Sequence, residues 1–322
     1  MERPYYLGID IGGTKCAVIA GTSDMNILGK VSFPTETGKG PDQAISLLKK
    51  NAREVVGKLG SQNLKAVGIS CGGPLDSRKG MVQSPPNLPG WDNIPIVKIF
   101  TDEFSVPAYL QNDANACALA EWKFGAGKGT DNMIFLTFGT GMGGGLIING
   151  KLYPGTNDLA GEVGHMRLDD EGPEAYGKKG SFEGFCSGTG IALLARKIAS
   201  EKLRTMETTA FCKRTEDIEK ITARDVAEAA FAGDATAIEI FKISGRYLGK
   251  GLSLLIDILN PQMIVIGSIY ARCRKFLEPG CMEVIRKEAL SPAASVCKIV
   301  PALLGEQVGD YASLSVAMAG SD

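Results

Sequence analysis

Two glycine-rich turns of similar chemistry each follow a short apolar run. They are Tyr5-Tyr6-Leu7-Gly8-Ile9-Asp10-Ile11-Gly12-Gly13-Thr14-Lys15 and Met133-Ile134-Phe135-Leu136-Thr137-Phe138-Gly139-Thr140-Gly141-Met142-Gly143-Gly144-Gly145. Without a Cβ, glycine tolerates positive φ and lets backbone N–H groups approach a ligand, while Thr14, Thr137 and Thr140 add hydroxyl donors. One such turn reads equally well as an unliganded hairpin. Two copies, each with an acid or a hydroxyl beside the glycines, point to phosphate gripped from two sides.

A chain of 322 residues is long enough for about two domains, each with its own core. The formal net charge of -1 provides no basic field for nucleic acid or an anionic membrane. No apolar window of about 18 residues appears and no signal-like segment precedes the first strand, so a cytoplasmic protein is expected. The eight cysteines are scattered, with no CxxC pair and no zinc-finger spacing, and read as reduced, mostly buried thiols.

Apolar β-formers between glycine turns predict an antiparallel meander over Tyr6–Ile11, Lys15–Ala20 and Ile27–Thr35. A helix follows, with Asp42 as its N-cap and Gly60 as its stop, and then a buried strand over Leu64–Ser70. A strand over Val106–Leu110 and a helix over Ala114–Phe124 lead into the second half. There, strands over Met133–Phe138, Gly144–Ile148, Lys151–Tyr153 and Met263–Ile266 and helices over Ile191–Leu203 and Ala237–Leu259 repeat the order. The pattern predicts an α/β protein with a duplicated strand-strand-strand-helix-strand core. The expected lobes are residues 1–122 with 306–322, to which a last helix over Gly309–Ala319 returns, and residues 123–305. The polar stretch Thr205–Glu219 reads as a solvated insertion.

Asp10, at the end of the first strand, would repel phosphate unless a cation intervenes, which makes it a candidate for Mg²⁺ or its water shell. Lys15 is either a neutralising cation or a solvated strand lysine. Asn112-Asp113 stands at a strand-to-helix junction, where a carboxylate next to a hydroxyl is a general base and where plain helix capping is the alternative. His165, the only histidine, follows Glu162 in Gly161-Glu162-Val163-Gly164-His165. With Glu183 these side chains form a set of acceptors suited to a polyhydroxyl ligand, although a lone histidine is more often structural. Asn87-Leu88-Pro89-Gly90-Trp91 is a rigid loop that aims Asn87 at a substrate. Trp91 lies under that substrate or is simply buried.

Asp10-Ile11-Gly12-Gly13-Thr14-Lys15, Asn87-Leu88-Pro89-Gly90-Trp91, Asn112-Asp113-Ala114-Asn115-Ala116, Gly139–Gly145 and Gly161–His165 occur in the order seen in the ROK family of sugar kinases and sugar-responsive repressors. The chain resembles that family over almost its whole length. The resemblance implies the actin-like, hexokinase-like (ribonuclease H-like) fold of two lobes around a cleft, and ATP with Mg²⁺ as phosphoryl donor to a hexose. It also implies that Asp113 takes the hydroxyl proton and that Gly73, Asn87, Asn112, Glu162, His165 and Glu183 face the sugar. Asp10, Gly12, Gly13, Thr14, Lys15, Thr137, Gly139, Thr140, Gly141, Gly143 and Gly267 would then hold the nucleotide. Family members are often dimers, so a homodimer is expected.

Two departures stand out. Many relatives carry a zinc motif, CxCGxxGCxE, whose cysteines join the histidine matching His165. Here those positions hold Glu174, Tyr176 and Ser181, and Cys186 alone leaves such a site half-built, so no structural zinc is expected. The loop would be held by packing through Tyr176 and Phe182. After the strand Met263–Ile266, the family's run of glycines is Gly267-Ser268-Ile269, of which Gly267 keeps the close approach to adenosine. With nine residues ahead of Asp10 there is no room for a winged helix-turn-helix, which favours a kinase over a repressor. Glucose is the first expectation for the substrate. Fructose and N-acetylmannosamine share the motifs, and a silent sugar sensor is the alternative class.

Overall fold

The computed structural model describes residues 4–321. Contacts divide the chain into two units, Met1–Asp131 with Gly145–Ala160 and Leu303–Asp322, and Asn132–Gly144 with Gly161–Ala302.

The first unit opens on the expected meander, β1 (Tyr5–Ile11), β2 (Lys15–Gly21) and β3 (Ile27–Pro34). Burial alternates residue by residue along β3, an edge strand with one solvated face. Helix α1 (Gly40–Leu59) starts three residues earlier than the sequence implies, with Lys39 at the N-cap and Asp42 inside the first turn. Pro41 accounts for the shift, because its preset φ and missing N–H suit the first helical turn. Gly60 ends the helix as expected, donating its N–H to the Val56 carbonyl at 2.9 Å. Strand β4 (Leu64–Cys71) runs parallel to β1, and after the short hairpin of β5 (Leu75–Asp76) and β6 (Met81–Val82) comes α2 (Ile96–Phe104). Strand β7 (Ala108–Asn112) joins β4 in parallel to complete the order β3-β2-β1-β4-β7, and α3 (Asp113–Phe124) leaves directly from its end. Leu7, Ile9, Val18, Leu48, Val67 and Ile69 are fully buried in the core of this unit.

Next along the chain are β8 (Met133–Leu136) and the antiparallel pair β9 (Gly144–Ile148) and β10 (Lys151–Leu152). The second unit continues with the hairpin of β11 (Glu174–Ala175) and β12 (Lys178–Lys179), then α4 (Phe182–Phe185), α5 (Gly188–Arg204), α6 (Ala223–Phe231) and α7 (Ala235–Leu259). It closes with β13 (Met263–Ile266), α8 (Ile269–Glu288), α9 (Ser291–Val296) and β14 (Lys298–Pro301). Strand β13 pairs in parallel with β8 on one side and β14 on the other. Helix α5 begins three residues ahead of the expected Ile191 because Ser187 caps it, accepting the Gly190 N–H at 2.9 Å. The insertion expected to be solvated is mostly exposed, but Thr209 and Cys212 are buried and bond each other's backbones.

Helix α10 (Val308–Ser321) belongs to the first unit and packs on β1, β4 and α3. Gly8 and Gly68 are register partners in the β1–β4 ladder, and a Cβ on either would collide with Ser313 of α10. The two glycines therefore set how closely the helix lies on the sheet. Among the described residues no helix is long and apolar enough to cross a membrane.

Candidate active site

In the first unit, parallel strands deliver the polar residues to one edge. Ile11 pairs with Cys71 and Cys71 with Asn112, so the residues at and beyond the carboxyl ends of β1, β4 and β7 lie side by side. This register gathers Asp10, the Gly12-Gly13 turn, Gly73 and Asp113. Asn87 fits between two of the turns: a Cβ on Gly13 would stand 2.7 Å from the Asn87 carbonyl oxygen, and one on Gly72 would stand 3.2 Å from its Oδ1. Gly12 and Gly13 do not have positive φ. They are glycines because of what comes close, not because of how the chain turns. Beneath Asn87, Leu88 and Trp91 are buried, so Trp91 anchors the loop.

Thr14 and Lys15 are exposed. Thr35, which sequence reasoning passed over, is buried and ties this first turn together. Its hydroxyl donates to the Gly12 carbonyl at 2.5 Å and its N–H donates to the Thr14 carbonyl at 3.0 Å. No local signal marks it, because its partners lie in the turn between β1 and β2, far from it along the chain.

Burial pushes the Asp10 carboxyl up to about 7, helped by the charges of Asp113 and Asp310 and opposed by Lys15 and Lys30. Lys30 is itself paired with Asp310 at 2.6 Å. Asp113 opens to solvent at its surface, yet desolvation also raises its carboxyl, against the N–H groups of Ala114 and of Asp113 itself at the start of α3. The Ala114 N–H donates to Oδ1 at 2.8 Å. Asn112 does cap this helix: its Oδ1 accepts the Asn115 N–H at 2.8 Å while its amide donates to the Asp158 carbonyl at 3.4 Å. Capping and a ligand role thus fall on neighbouring residues. The crowding of Asp10, Asp113 and Asp310 leaves a local negative excess that suits a cation arriving with a nucleotide.

In the second unit the turn from Gly139 to Gly144 is stapled from within. Thr137 Oγ1 accepts the Gly143 N–H at 2.7 Å, which ties the two ends of the turn together. The Gly139 carbonyl accepts the Gly188 N–H at 2.7 Å, and the Thr140 carbonyl accepts the Thr189 hydroxyl at 3.0 Å, so the start of α5 backs the turn. Beside it lies a cavity of about 920 Å³, lined by Thr140, Arg196, Arg224, Phe231, Ser268 and Arg272 among others. Its size and its mixture of apolar wall and arginines fit a nucleotide. The arginines on α5, α6 and α8 have no motif and were not legible in the sequence. Gly267 stands at the end of β13 by this cavity. Ser268, next to it, is held at φ 50° and ψ −105°, a conformation suited to glycine.

Of the remaining acceptors, Glu162 and His165 lie in the segment after β10 and Glu183 lies in the first turn of α4. Glu162 and His165 are exposed and Glu183 is half-buried. The Glu162 carboxylate and His165 Nε2 are 4.0 Å apart. The His165 ring stacks on Tyr176 with centroids 3.7 Å apart, and Lys178 donates to the His165 carbonyl. Phe182 is fully buried, and Ser181 caps α4 by accepting the Gly184 N–H at 3.1 Å. Among the described residues no three His, Cys, Asp or Glu side chains cluster as a metal site. Cys186 is buried, its thiol pushed well up by desolvation and donating to the Ser244 carbonyl at 3.4 Å.

Two parallel-stranded cores, each with a glycine turn at a strand end, define the actin-like, hexokinase-like class of fold. A solved glucokinase of that fold from Streptomyces griseus, in complex with glucose and AMPPNP, superposes with a TM-score of 0.76 at 26% identity, covering 98% of this chain and 99% of that one. The ROK family pattern matches residues 6–317, and the chain belongs to the ROK family. It is similar to a glucokinase from Halalkalibacterium halodurans, 32% identical over 96% of this chain and 93% of that protein. It is also similar to a xylose repressor from Bacillus subtilis, 28% identical over 76% of this chain but 58% of the longer repressor.

Proposed function

We propose that this protein is an ATP-dependent sugar kinase of the cytoplasm, glucokinase-like, with Asp113 as general base. The observation that carries this reading is a carboxylate at the amino end of α3 whose proton affinity is raised by desolvation, on the same sheet edge as Asp10 and the Gly12-Gly13 turn. Raised affinity makes Asp113 a stronger base toward an alcohol. In the first unit the candidate sugar-facing residues are Asn87, Asn112 and Gly73, and in the second they are Glu162, His165 and Glu183.

A magnesium nucleotide, when bound, supplies the γ-phosphoryl group. In the first unit the candidate nucleotide-facing residues are Asp10, Thr14 and Lys15 with the first turn, and in the second they are Thr140 with the second turn and the cavity beside Gly267. The hydroxyl oxygen of the sugar forms the new bond to phosphorus, the bond to the nucleoside diphosphate breaks, and the proton passes to Asp113. Backbone N–H groups of the turns offset the phosphate charge.

Glucose is the first substrate choice, supported by the glucokinase relatives, ahead of fructose or N-acetylmannosamine. The similarity to a xylose repressor favours one second reading, a sugar sensor without turnover. A coupled assay over a panel of hexoses decides between them. ADP production that depends on a hexose supports the kinase, whereas sugar binding without it supports the sensor.

A further inference from the structure

The β11–β12 hairpin turns through only two residues, Tyr176 at φ 55° and Gly177 at φ 69°, with Ala175 paired to Lys178. Both central residues of such a turn need positive φ, which Asn and Gly adopt readily and a bulky aromatic does not. A tyrosine here costs backbone strain, and it is half exposed, so burial does not repay that strain.

The side chain makes two contacts that account for it. Its ring covers one face of the His165 imidazole, and its hydroxyl donates to Glu183 Oε2 at 2.7 Å. The same Oε2 accepts the Met142 N–H at 2.8 Å, inside the second glycine turn. Gly141 leaves room for this carboxylate: a Cβ there would stand 2.7 Å from Oε2. One oxygen of Glu183 is thereby fixed by two donors. A face-on stack likewise holds the imidazole while its nitrogens lie in the ring plane, with Nε2 on the side of the Glu162 carboxylate, 4.0 Å away.

We infer that Tyr176 is a positioning residue, which locks the Glu183 carboxylate and the His165 ring in the orientation that receives a sugar. This rests on the sugar-binding part of the reading above. The device trades turn stability for a preorganised pair of acceptors.

Tyr176→Asn and Tyr176→Phe test it through thermal melting, calorimetric titration with the preferred hexose, steady-state kinetics and proton NMR. Since His165 is the only histidine, its imidazole protons report the stack directly. Tyr176→Asn suits the turn and is expected to melt at or above the wild-type temperature while its hexose Kd and KM rise about tenfold, with the nucleotide KM unchanged. Its histidine signals lose the upfield ring-current shift. Tyr176→Phe keeps that shift, and its hexose Kd rises about fivefold through loss of one charge-assisted hydrogen bond. Unchanged hexose affinity in both variants overturns the inference, and so does a loss of affinity that only follows a fall in melting temperature. Sugar binding without turnover in the wild type removes the kinase reading alone, and no hexose binding at all removes both.

Discussion

Asp10 and Asp113 stand at one edge of the same sheet, and the charge of Asp113 is the second largest cause, after burial, that pushes the Asp10 carboxyl up to about 7. In the unfolded chain Asp10 ionises near its ordinary 3.8. The folded protein thus favours the protonated form. Its contribution to stability is complete below pH ~4, falls as the pH rises to about 7, and is flat above, a change on the order of a few kcal/mol. Asp10→Asn removes this dependence, so its melting temperature should match the wild type at pH 4 and exceed it at pH 8. Parallel curves of melting temperature against pH would refute the assignment. A bound magnesium nucleotide favours the ionised form, so the wild-type nucleotide KM should climb as the pH drops below 7.

Asp113→Asn keeps an oxygen that can accept the Ala114 N–H and loses the base. It should bind the preferred hexose with little change and lose turnover by a factor on the order of 10² or more. Parallel calorimetry and a coupled assay check this. A rate within a few-fold of the wild type would remove Asp113 from the chemistry.

Glu121 of α3 is fully buried, and its carboxylate accepts three backbone N–H groups, from Ala126 at 2.8 Å, Leu304 at 2.8 Å and Leu303 at 3.2 Å. It clamps the segment that leads into α10 onto α3. Glu121→Ala leaves those donors without an acceptor and should cost roughly 3 kcal/mol of unfolding free energy. Chemical denaturation measures it, and a loss below about 0.5 kcal/mol would show that the clamp contributes nothing.

Ser268 pays for a backbone conformation that glycine adopts freely. Its hydroxyl accepts from Arg272 at 2.9 Å, an exposed contact of small worth. Ser268→Gly should therefore raise stability by about 1 kcal/mol. A drop in denaturation midpoint would mean that the Arg272 contact outweighs the strain.

Much of the fold was legible because it is written locally. The meander strands, β13 and α7 follow apolar periodicity and the punctuation by glycine, and they fall within a few residues of expectation. Helix α8 escaped because Pro279 and a kink at Cys273 interrupt its pattern, and β14 because it is short and only partly buried. The comparison of Thr137 with Thr140 shows the same divide within one motif. Both read as phosphate hydroxyls, and only the structure shows that Thr137 also accepts the Gly143 N–H within its own turn.

The sequence by itself determined the opening meander, the two glycine turns and the junction that places Asp113 at the head of a helix, since each depends on residues a few positions apart. The tertiary structure alone decided that Thr35 ties the first turn, that Glu121 holds Leu304, and that Tyr176 reaches Glu183. These pairings join residues by where strands and hairpins bring them, and no period along the chain encodes a hydrogen bond between side chains that only the packed fold makes neighbours.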